Sequence, residues 1–320
     1  MNAPAPPPPA AMTLIGVAAS LVAVLCWAVM SVSTRGQIAA RGHDAATLTL
    51  VQLAAGGVFL LVVSGARGFE RAAIRLPATW VIGLFRVISA TAFTAALGYA
   101  GAGKVTLLSV LNVPLGALGV WLLFGRGVTA LGLAGHGVIL ACLAGLAMNL
   151  DGGFGNPAVL CLMISESSVI VASVVSERHP LNQGAGVRLR AQLTGTIMVI
   201  VALGFLALWT VVSLAAPAGM VPLLDLAAAR ASLADPWLWV MAPAIGILAR
   251  GPAMYCALHA IRALGTERYM LILTGMPIAS LALEQGAVAA GLLPPTPTDW
   301  RDLAFALTMA AAAALVIRAR

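Results

Sequence analysis

The chain has 320 residues, of which 61% are hydrophobic and only 9% are charged, and its mean hydropathy is +1.00. A water-soluble domain needs a charged surface, so this composition excludes an ordinary soluble fold and predicts a membrane protein. The formal net charge is +7, but the basic residues stand singly between apolar stretches, which is typical of topology signals and not of a nucleic-acid-binding surface.

The sequence is a series of continuous apolar stretches of about 20 residues, each long enough to cross a bilayer as an α-helix. The apolar residues run continuously instead of alternating, so helices are favoured over the strands of a membrane barrel. We therefore predict an all-α membrane protein with ten transmembrane helices. The predicted spans are residues 13–34, 45–65, 79–100, 104–125, 128–149, 158–175, 188–215, 237–261, 266–291 and 301–318.

The segments between the spans carry few chemical signals. Residues 1–12 are rich in proline and are predicted to be disordered. The longest connection, Ala216 to Asp235, predicts either a short amphipathic helix on the outer leaflet or an ordinary loop. The four cysteines lie inside apolar stretches without the spacing of a metal site, so we expect no disulfide, no metal and no other cofactor.

The basic residues between the spans predict how the chain is oriented. With a cytoplasmic N-terminus, the inside connections hold eleven arginines, Arg190 among them, and the outside connections hold five basic residues, including Arg35. The sequence therefore predicts a multi-pass protein of a bacterial-type inner membrane, with both termini in the cytoplasm.

Two stretches of the chain have the same order of residues and indicate an internal repeat. The matching residues are Arg86, Gly101 and Pro114 in the first stretch and Arg250, Gly265 and Pro277 in the second. The arginine precedes its proline by 28 positions in the first stretch and by 27 in the second. Because five helices is an odd number, duplicating a five-helix unit inverts the second copy. We predict two inverted five-helix repeats, residues 13–152 and 153–320.

Two arginines lie inside predicted spans, where a charge is costly and calls for a function. Arg250 is near the middle of the eighth span, and Arg86 is shallower in the third, where it could extend toward the inner face. The functional interpretation is that they bind an anionic group, most simply a carboxylate, through the guanidinium. The alternative is a structural ion pair with Glu166 or Glu284.

Two glutamates inside the spans are candidates for binding, coupling or gating. Glu166 shares a helix face with Ser173 and Glu177 and is predicted to bind a substrate amine or to carry a coupling proton. The alternative is a permanent partner for an arginine. Glu284 is predicted to gate the external side or to pair with Arg250.

The remaining candidates are polar, aromatic and proline residues inside the spans. Pro114 and Pro277 each remove a helical hydrogen bond, and the freed carbonyl suits a moving, gating element. Asn112 precedes Pro114, and Thr274 is proposed to play the matching part before Pro277. The other predicted substrate contacts are Trp27, Tyr255, Gln52 and Gln192. The two glutamines also fit interhelical hydrogen bonds.

These features resemble the EamA-type branch of the drug/metabolite transporter superfamily. The resemblance rests on ten short helices in two inverted sets, on Trp27 in the first helix, and on the segment AALGYAGAGKVTLLSVLNVP. It implies a transporter without ATP hydrolysis, whose central cavity is lined by helices 1, 3, 4, 6, 8 and 9. The chain departs from the family at Gly125–Arg126, where a Gly-Glu pair is usual, and at Gln52, where arginine is frequent.

We therefore expect a secondary active transporter that moves a small anionic or zwitterionic metabolite, such as an amino acid or a carboxylate, by alternating access. The resemblance favours efflux. The expected partners are the solute, the bilayer, coupling protons and a second copy, with Gly137, Ala141 and Gly145 as a stripe of small residues for a homodimer. The alternatives are an intramembrane enzyme, which no HExxH or GxSxG motif supports, and a non-transporting membrane scaffold.

Overall fold

The computed structural model describes residues 10–65, 71–184, 186–215, 225–295 and 299–318. Most of the predicted proline-rich tail and the first part of the long connection, residues 216–224, lie outside these ranges. The described residues are almost entirely helical and include no strand, which confirms the all-α class. Within those ranges, nine helical stretches are long and apolar enough to cross a membrane, as expected of a multi-pass membrane protein.

The helices take up nearly the whole described chain. They are α1 (Ala10–Arg41), α2 (Ala45–Val63), α3 (Arg71–Ile74), α4 (Pro77–Leu108), α5 (Asn112–Phe124), α6 (Ala130–Met148), α7 (Pro157–Arg178), α8 (Pro180–Gly184), α9 (Val187–Ala215), α10 (Leu226–Ala234), α11 (Leu238–Ile245), α12 (Gly251–Leu264), α13 (Thr266–Leu273), α14 (Met276–Ala289) and α15 (Trp300–Arg318). A 3₁₀ turn, Ser109–Leu111, joins α4 to α5, and a π turn, Gly246–Arg250, joins α11 to α12.

The third and fourth predicted spans form one helical stretch of 48 residues, Pro77–Phe124. Its break is a single residue, Gly101, with φ 78° and ψ 165°. Glycine adopts this backbone conformation easily, and residues with a Cβ rarely do. This break lies in the gap predicted between residues 100 and 104 and occupies only its first residue, because the helix resumes at once. The 3₁₀ turn follows shortly before Pro114, whose missing N–H weakens the helical ladder there.

The eighth predicted span is divided in three by the π turn at Gly246–Arg250. Pro243 lies inside α11 and Pro252 is the second residue of α12, and neither residue can donate a backbone hydrogen bond. A methyl group on Gly246 would overlap the carbonyl oxygen of Gln52, so the glycine allows the π turn to touch the backbone of α2. This contact fixes the start of α12 beside Gln52.

The helix pairs that pack most extensively are α4 with α7, α2 with α9, α1 with α12, and α6 with α15. Glycines allow the α2–α9 crossing to be close. A Cβ added to Gly57 would lie 3.0 Å from the carbonyl oxygen of Gly195, and one added to Gly195 would lie 2.8 Å from that of Gly57. Close backbone approach of this kind is how membrane helices gain packing energy without a hydrophobic driving force.

The described part of the long connection forms the short helix α10, so its interpretation as an ordinary loop is wrong for residues 226–234. Asp225 caps the helix, and the hydroxyl of Ser232 accepts a hydrogen bond from the Asp44 amide at 2.7 Å. His43 Nε2 and Asp235 Oδ2 are 2.8 Å apart. The hydrogen bond from His43, followed by one from the Trp237 amide, lowers the pKa of Asp235. These contacts hold α10 against α2 and α9.

Candidate functional site

A cavity of about 80 Å³ lies among the helices. Its wall combines residues of α1, α2, α4, α5, α7, the two irregular turns, α12, α13 and α14. The polar lining residues are Arg86, Ser89, Ser109, Asn112, Ser165, Glu166, Arg250 and Tyr269. The apolar ones include Trp27, Met30, Leu53, Phe93, Met254 and Met276. The cavity thus has an apolar surface with a few convergent polar groups, which is typical of a small-molecule site.

Arg250 ends the π turn and is only 1% exposed. Its Nε donates a hydrogen bond to Gln52 Oε1 at 3.0 Å, and Gln52 Nε2 donates to Thr34 Oγ1 at 3.1 Å. The Nη2 of Arg250 has no hydrogen-bond partner. In the part of the chain that the structure describes, no carboxylate lies within 4.0 Å of Arg250. The ion pairs considered from the sequence, with Glu166 or Glu284, are therefore not formed.

Arg86 and Glu166 both line the cavity, and no direct ion pair joins them. Arg86 is 7% exposed, so it does not extend to the membrane surface. Its Nη2 donates to Ser173 Oγ at 3.2 Å, and its Nε has no partner. The Glu166 carboxylate accepts a hydrogen bond from Ser165 Oγ at 3.3 Å and interacts with the side chain of Asn112 and the charge of Arg86. These residues form one polar cluster on α4, α5 and α7.

The two prolines follow equivalent irregular turns. Before Pro114, Ser109 Oγ donates to the carbonyl of Thr106 at 2.7 Å. Before Pro277, Thr274 Oγ1 donates to the carbonyl of Leu271 at 2.7 Å. Ser109 and Thr274 thus make the same type of local hydrogen bond in the turns before the two prolines. Asn112 contributes to the cavity, where its Oδ1 has no hydrogen-bond partner.

Glu284 lies at one end of the helix bundle. Its carboxylate binds the first amides of the helical segment that starts after Gly101. Its Oε2 accepts the Gly103 amide at 2.6 Å, and its Oε1 accepts the Ala102 amide at 3.2 Å. Arg35 Nη1 is 2.8 Å from the same carboxylate. The carboxylate is 1% exposed and thus satisfies the free amides and positive dipole of a helix start. We call Glu284, Arg35 and the amides of Ala102 and Gly103 the Glu284 cluster.

A second carboxylate occupies the start of α13 in the same way. Gly265 has φ 83° and ψ 160°, nearly the conformation of Gly101. The next amide, that of Thr266, donates to Glu177 Oε2 at 2.8 Å, and Arg126 Nη1 is 3.2 Å from Glu177 Oε1. We call Glu177, Arg126 and the Thr266 amide the Glu177 cluster.

The two clusters lie at opposite ends of α1. Arg35 belongs to the Glu284 cluster, whereas Gly16 packs against Leu264, the residue before Gly265. Gly16 and Arg35 are 19 residues apart, which is about 28 Å at 1.5 Å per residue. Trp27 and Met30, which line the cavity, lie between them. The cavity is therefore positioned between the two carboxylate clusters, about one hydrocarbon thickness apart.

The structure brings together five of the sequence candidates and leaves others outside. Those that line the cavity are Trp27, Arg86, Asn112, Glu166 and Arg250. Gln52 lies behind Arg250 and orients it. Gln192 and Tyr255 are half-buried and do not line the cavity. Pro114 and Pro277 shape its walls through the turns that precede them.

Sequence reasoning missed several residues of these sites. Arg35 and Arg190 were assigned to connections, yet both are buried, and Arg190 hydrogen-bonds Asn182 and His259. Arg35 was missed because α1 continues to Arg41. Glu177 was noted only for sharing a face with Glu166, and Tyr269 was not considered. No pattern in the sequence links Glu177 to Thr266, because that contact joins elements 89 positions apart.

Comparisons with known proteins bear on the fold. No protein-family model matches the sequence, and no curated protein matches it. A solved crystal structure of a protein is similar, with a TM-score of 0.61 and 22% sequence identity over 96% of this chain and 98% of that chain. At this identity the similarity concerns the fold alone, and it extends over nearly the full length of both chains.

Proposed function

We propose that the chain is a secondary active transporter of a small organic metabolite, anionic or zwitterionic, and that it works by alternating access. In this proposal it has ten transmembrane helices in two inverted repeats, residues 13–152 and 153–320, and is related to the EamA-type transporters. It is placed in a bacterial-type inner membrane with both termini in the cytoplasm, and the resemblance favours efflux.

Support for the inverted repeats comes from the packing of the helices. Counted as two crossings that meet at Gly101, the 48-residue stretch gives ten spans from nine. In two five-helix repeats, span 3 corresponds to span 8 and span 1 to span 6. The packing of α4 (span 3) on α7 (span 6) then corresponds to the packing of α12 (span 8) on α1 (span 1). A two-fold rotation that relates the two repeats exchanges α2 with α9 and α6 with α15. Each of these two packed pairs is therefore mapped onto itself. Gly101 and Gly265 add equivalent breaks.

The observation that carries the transport proposal is the unsatisfied guanidinium of Arg250 in the wall of a cavity between the two halves. A buried donor without a partner costs roughly 1–3 kcal/mol, and a charged one costs more. A charge inside a membrane span is itself expensive. A ligand that supplies the missing acceptor would offset the cost of the unpartnered donor and the cost of the buried charge. A scaffold or a simple helix contact has no need of a buried, unpartnered arginine.

The two carboxylate clusters supply the gates that alternating access requires. With the Glu284 cluster intact, α1, α4 and α14 are joined on one side of the cavity. With the Glu177 cluster intact, α7 and α13 are joined to the end of α5 on the other. Opening one cluster while the other stays closed would expose the cavity to one side only. Glu166 is the proposed proton carrier, because it is a cavity carboxylate outside both clusters.

Transport in proteoliposomes tests the proposal. Purified protein is reconstituted, and counterflow is measured for pools of labelled carboxylates, amino acids and amines. We expect Arg250→Gln to abolish the transport that the wild-type protein shows, while the variant still inserts and elutes as a single species. The matched control is Gln192→Ala, which changes a polar residue outside the cavity wall and should retain transport. Full activity of Arg250→Gln, or no transport of any pool by the wild type, would disprove the proposal.

A further inference from the structure

The charges on the cavity wall restrict which solute the cavity can hold. Among the described lining residues, three carry a formal charge: Arg86, Arg250 and Glu166. With Glu166 ionised, the state that its hydrogen bonds from Ser165 and Asn112 and the charge of Arg86 favour, their sum is one positive charge. A charge enclosed by apolar walls and distant from water requires a partner of opposite sign.

The excess positive charge lies at Arg250. Arg86 and Glu166 compensate each other within one cluster, and the Glu166 carboxylate also has Ser165 and Asn112 as hydrogen-bond partners. Arg250 has only the neutral Gln52, and its Nη2 is without a partner. No second carboxylate on the cavity wall balances it.

We propose that the cavity selects a small monocarboxylate of net charge −1 with an apolar body, whose carboxylate binds the guanidinium of Arg250. This assignment rests on the proposed transport function and narrows its substrate class. A zwitterion would leave the excess charge at Arg250 uncompensated over the cavity as a whole. A dianion would add a second negative charge with no cation left to receive it.

The remaining wall defines the body of the solute. A cavity of about 80 Å³ admits only a small solute. Trp27, Phe93 and Met254 supply an apolar surface for an aliphatic chain. Asn112 Oδ1 is a free acceptor, so a neutral hydroxyl on the solute finds a partner there.

Two isosteric probes separate net charge from shape. 2-Hydroxyisovalerate and valine have the same carbon skeleton, but the first carries a hydroxyl group where the second carries an ammonium group. Their net charges at pH 7 are therefore −1 and 0. We expect 2-hydroxyisovalerate to bind purified wild-type protein at least about tenfold more tightly than valine in calorimetric titrations at pH 7. Isovaleramide, which is neutral, and succinate, which is a dianion, should also bind at least about tenfold more weakly.

A variant with a different wall charge is expected to reverse the order of affinities in the same assay. Glu166→Gln keeps the size of the side chain and raises the wall charge to two, so succinate should now bind more tightly than 2-hydroxyisovalerate. If Glu166 had only a structural role, the substitution would not reverse the order of the affinities for succinate and 2-hydroxyisovalerate. If the variant does not fold, the wild-type series decides by itself.

Three outcomes overturn the assignment. Valine binding as tightly as 2-hydroxyisovalerate would show that net charge is not selected. Succinate binding most tightly to the wild type would mean that Glu166 carries a proton and that the wall charge is two. Transport of another solute class without binding of these probes would remove the monocarboxylate and leave the transporter in place. Absence of transport for every class would instead remove the proposed function itself.

Discussion

The guanidinium of Arg250 is held at one edge and free at the other. Gln52 accepts from its Nε, and Thr34 in turn accepts from the amide of Gln52. This line of hydrogen bonds runs from α1 through α2 to the π turn and leaves Nη2 without a partner. The position of the arginine therefore depends on two neutral side chains behind it, which do not themselves line the cavity.

Gln52 is accordingly a positioning residue, and Gln52→Ala tests it. A hydrogen bond to a charged group contributes about 1.5–3 kcal/mol, and losing it lets the guanidinium rotate away from the solute. We expect the KM of transport to rise about tenfold or more, with a smaller change in the maximal rate. Gln192→Ala is the control and should leave KM unchanged. An equal loss of rate and protein yield in Gln52→Ala would indicate a folding role instead.

The proton-carrying role of Glu166 predicts a specific pH effect. Glu166→Gln cannot gain or lose a proton, so transport by this variant should no longer depend on a pH gradient across the liposome membrane. The measurement is uptake at several imposed gradients, with the wild-type protein compared at the same internal pH. Gln192→Ala serves as the control that retains the gradient dependence. A gradient response identical in Glu166→Gln and wild type would exclude Glu166 as the coupling residue.

At the scale of elements, breaks in helices build the sites. Gly101 and Gly265 each start a helix whose first amides bind a carboxylate from elsewhere in the chain. The π turn brings Arg250 to Gln52, and the turns before Pro114 and Pro277 shape the cavity wall. The sequence signalled the breaks at Gly101, Gly265, Pro114 and Pro277 through glycine and proline, but it did not signal the π turn. It also did not predict the kind of break, which depends on the neighbouring helix.

Gly101→Ala should be much more damaging than an alanine substitution at an ordinary helical glycine. A Cβ at φ 78° and ψ 165° is strained, which costs about 1–3 kcal/mol, and any shift of the backbone moves the amides that bind Glu284. We expect a lower thermal unfolding temperature and weaker transport. The control is Gly137→Ala, because a Cβ at Gly137 meets no atom within 4 Å. Equal unfolding temperatures for the two variants would contradict this account.

At the scale of the whole molecule, the two carboxylate clusters lie near opposite ends of α1, on either side of the cavity. Each joins a helix start to a carboxylate and an arginine from other helices. The Glu284 cluster is buried, whereas Arg126 of the Glu177 cluster is 57% exposed. Because a buried ion pair that loses one partner leaves an uncompensated charge, the Glu284 cluster should resist opening more strongly.

The gates are tested by cysteine labelling from each side of the membrane. In a cysteine-free background, Ala90→Cys in the cavity wall is treated with a membrane-impermeant thiol reagent in oriented vesicles. We expect Glu284→Gln to increase labelling from the side of Arg35, and Glu177→Gln to increase it from the side of Leu264, each several-fold. Arg301→Gln, at an exposed pair with Asp299, is the control and should change neither. An increase on the same side for both variants would contradict opposed gates.

The sequence by itself determined the membrane class, the approximate places of the spans, and the arginines and glutamate that converge on the cavity. Long apolar stretches have one stable form in lipid, and a charge inside them is conspicuous. Only the tertiary structure decided that Arg250 has no acidic partner among the described residues, that Glu284 pairs with Arg35, and that Glu177 caps α13. Those contacts join residues far apart in the chain, and the packing of helix against helix, which sets them, leaves no local pattern in the sequence.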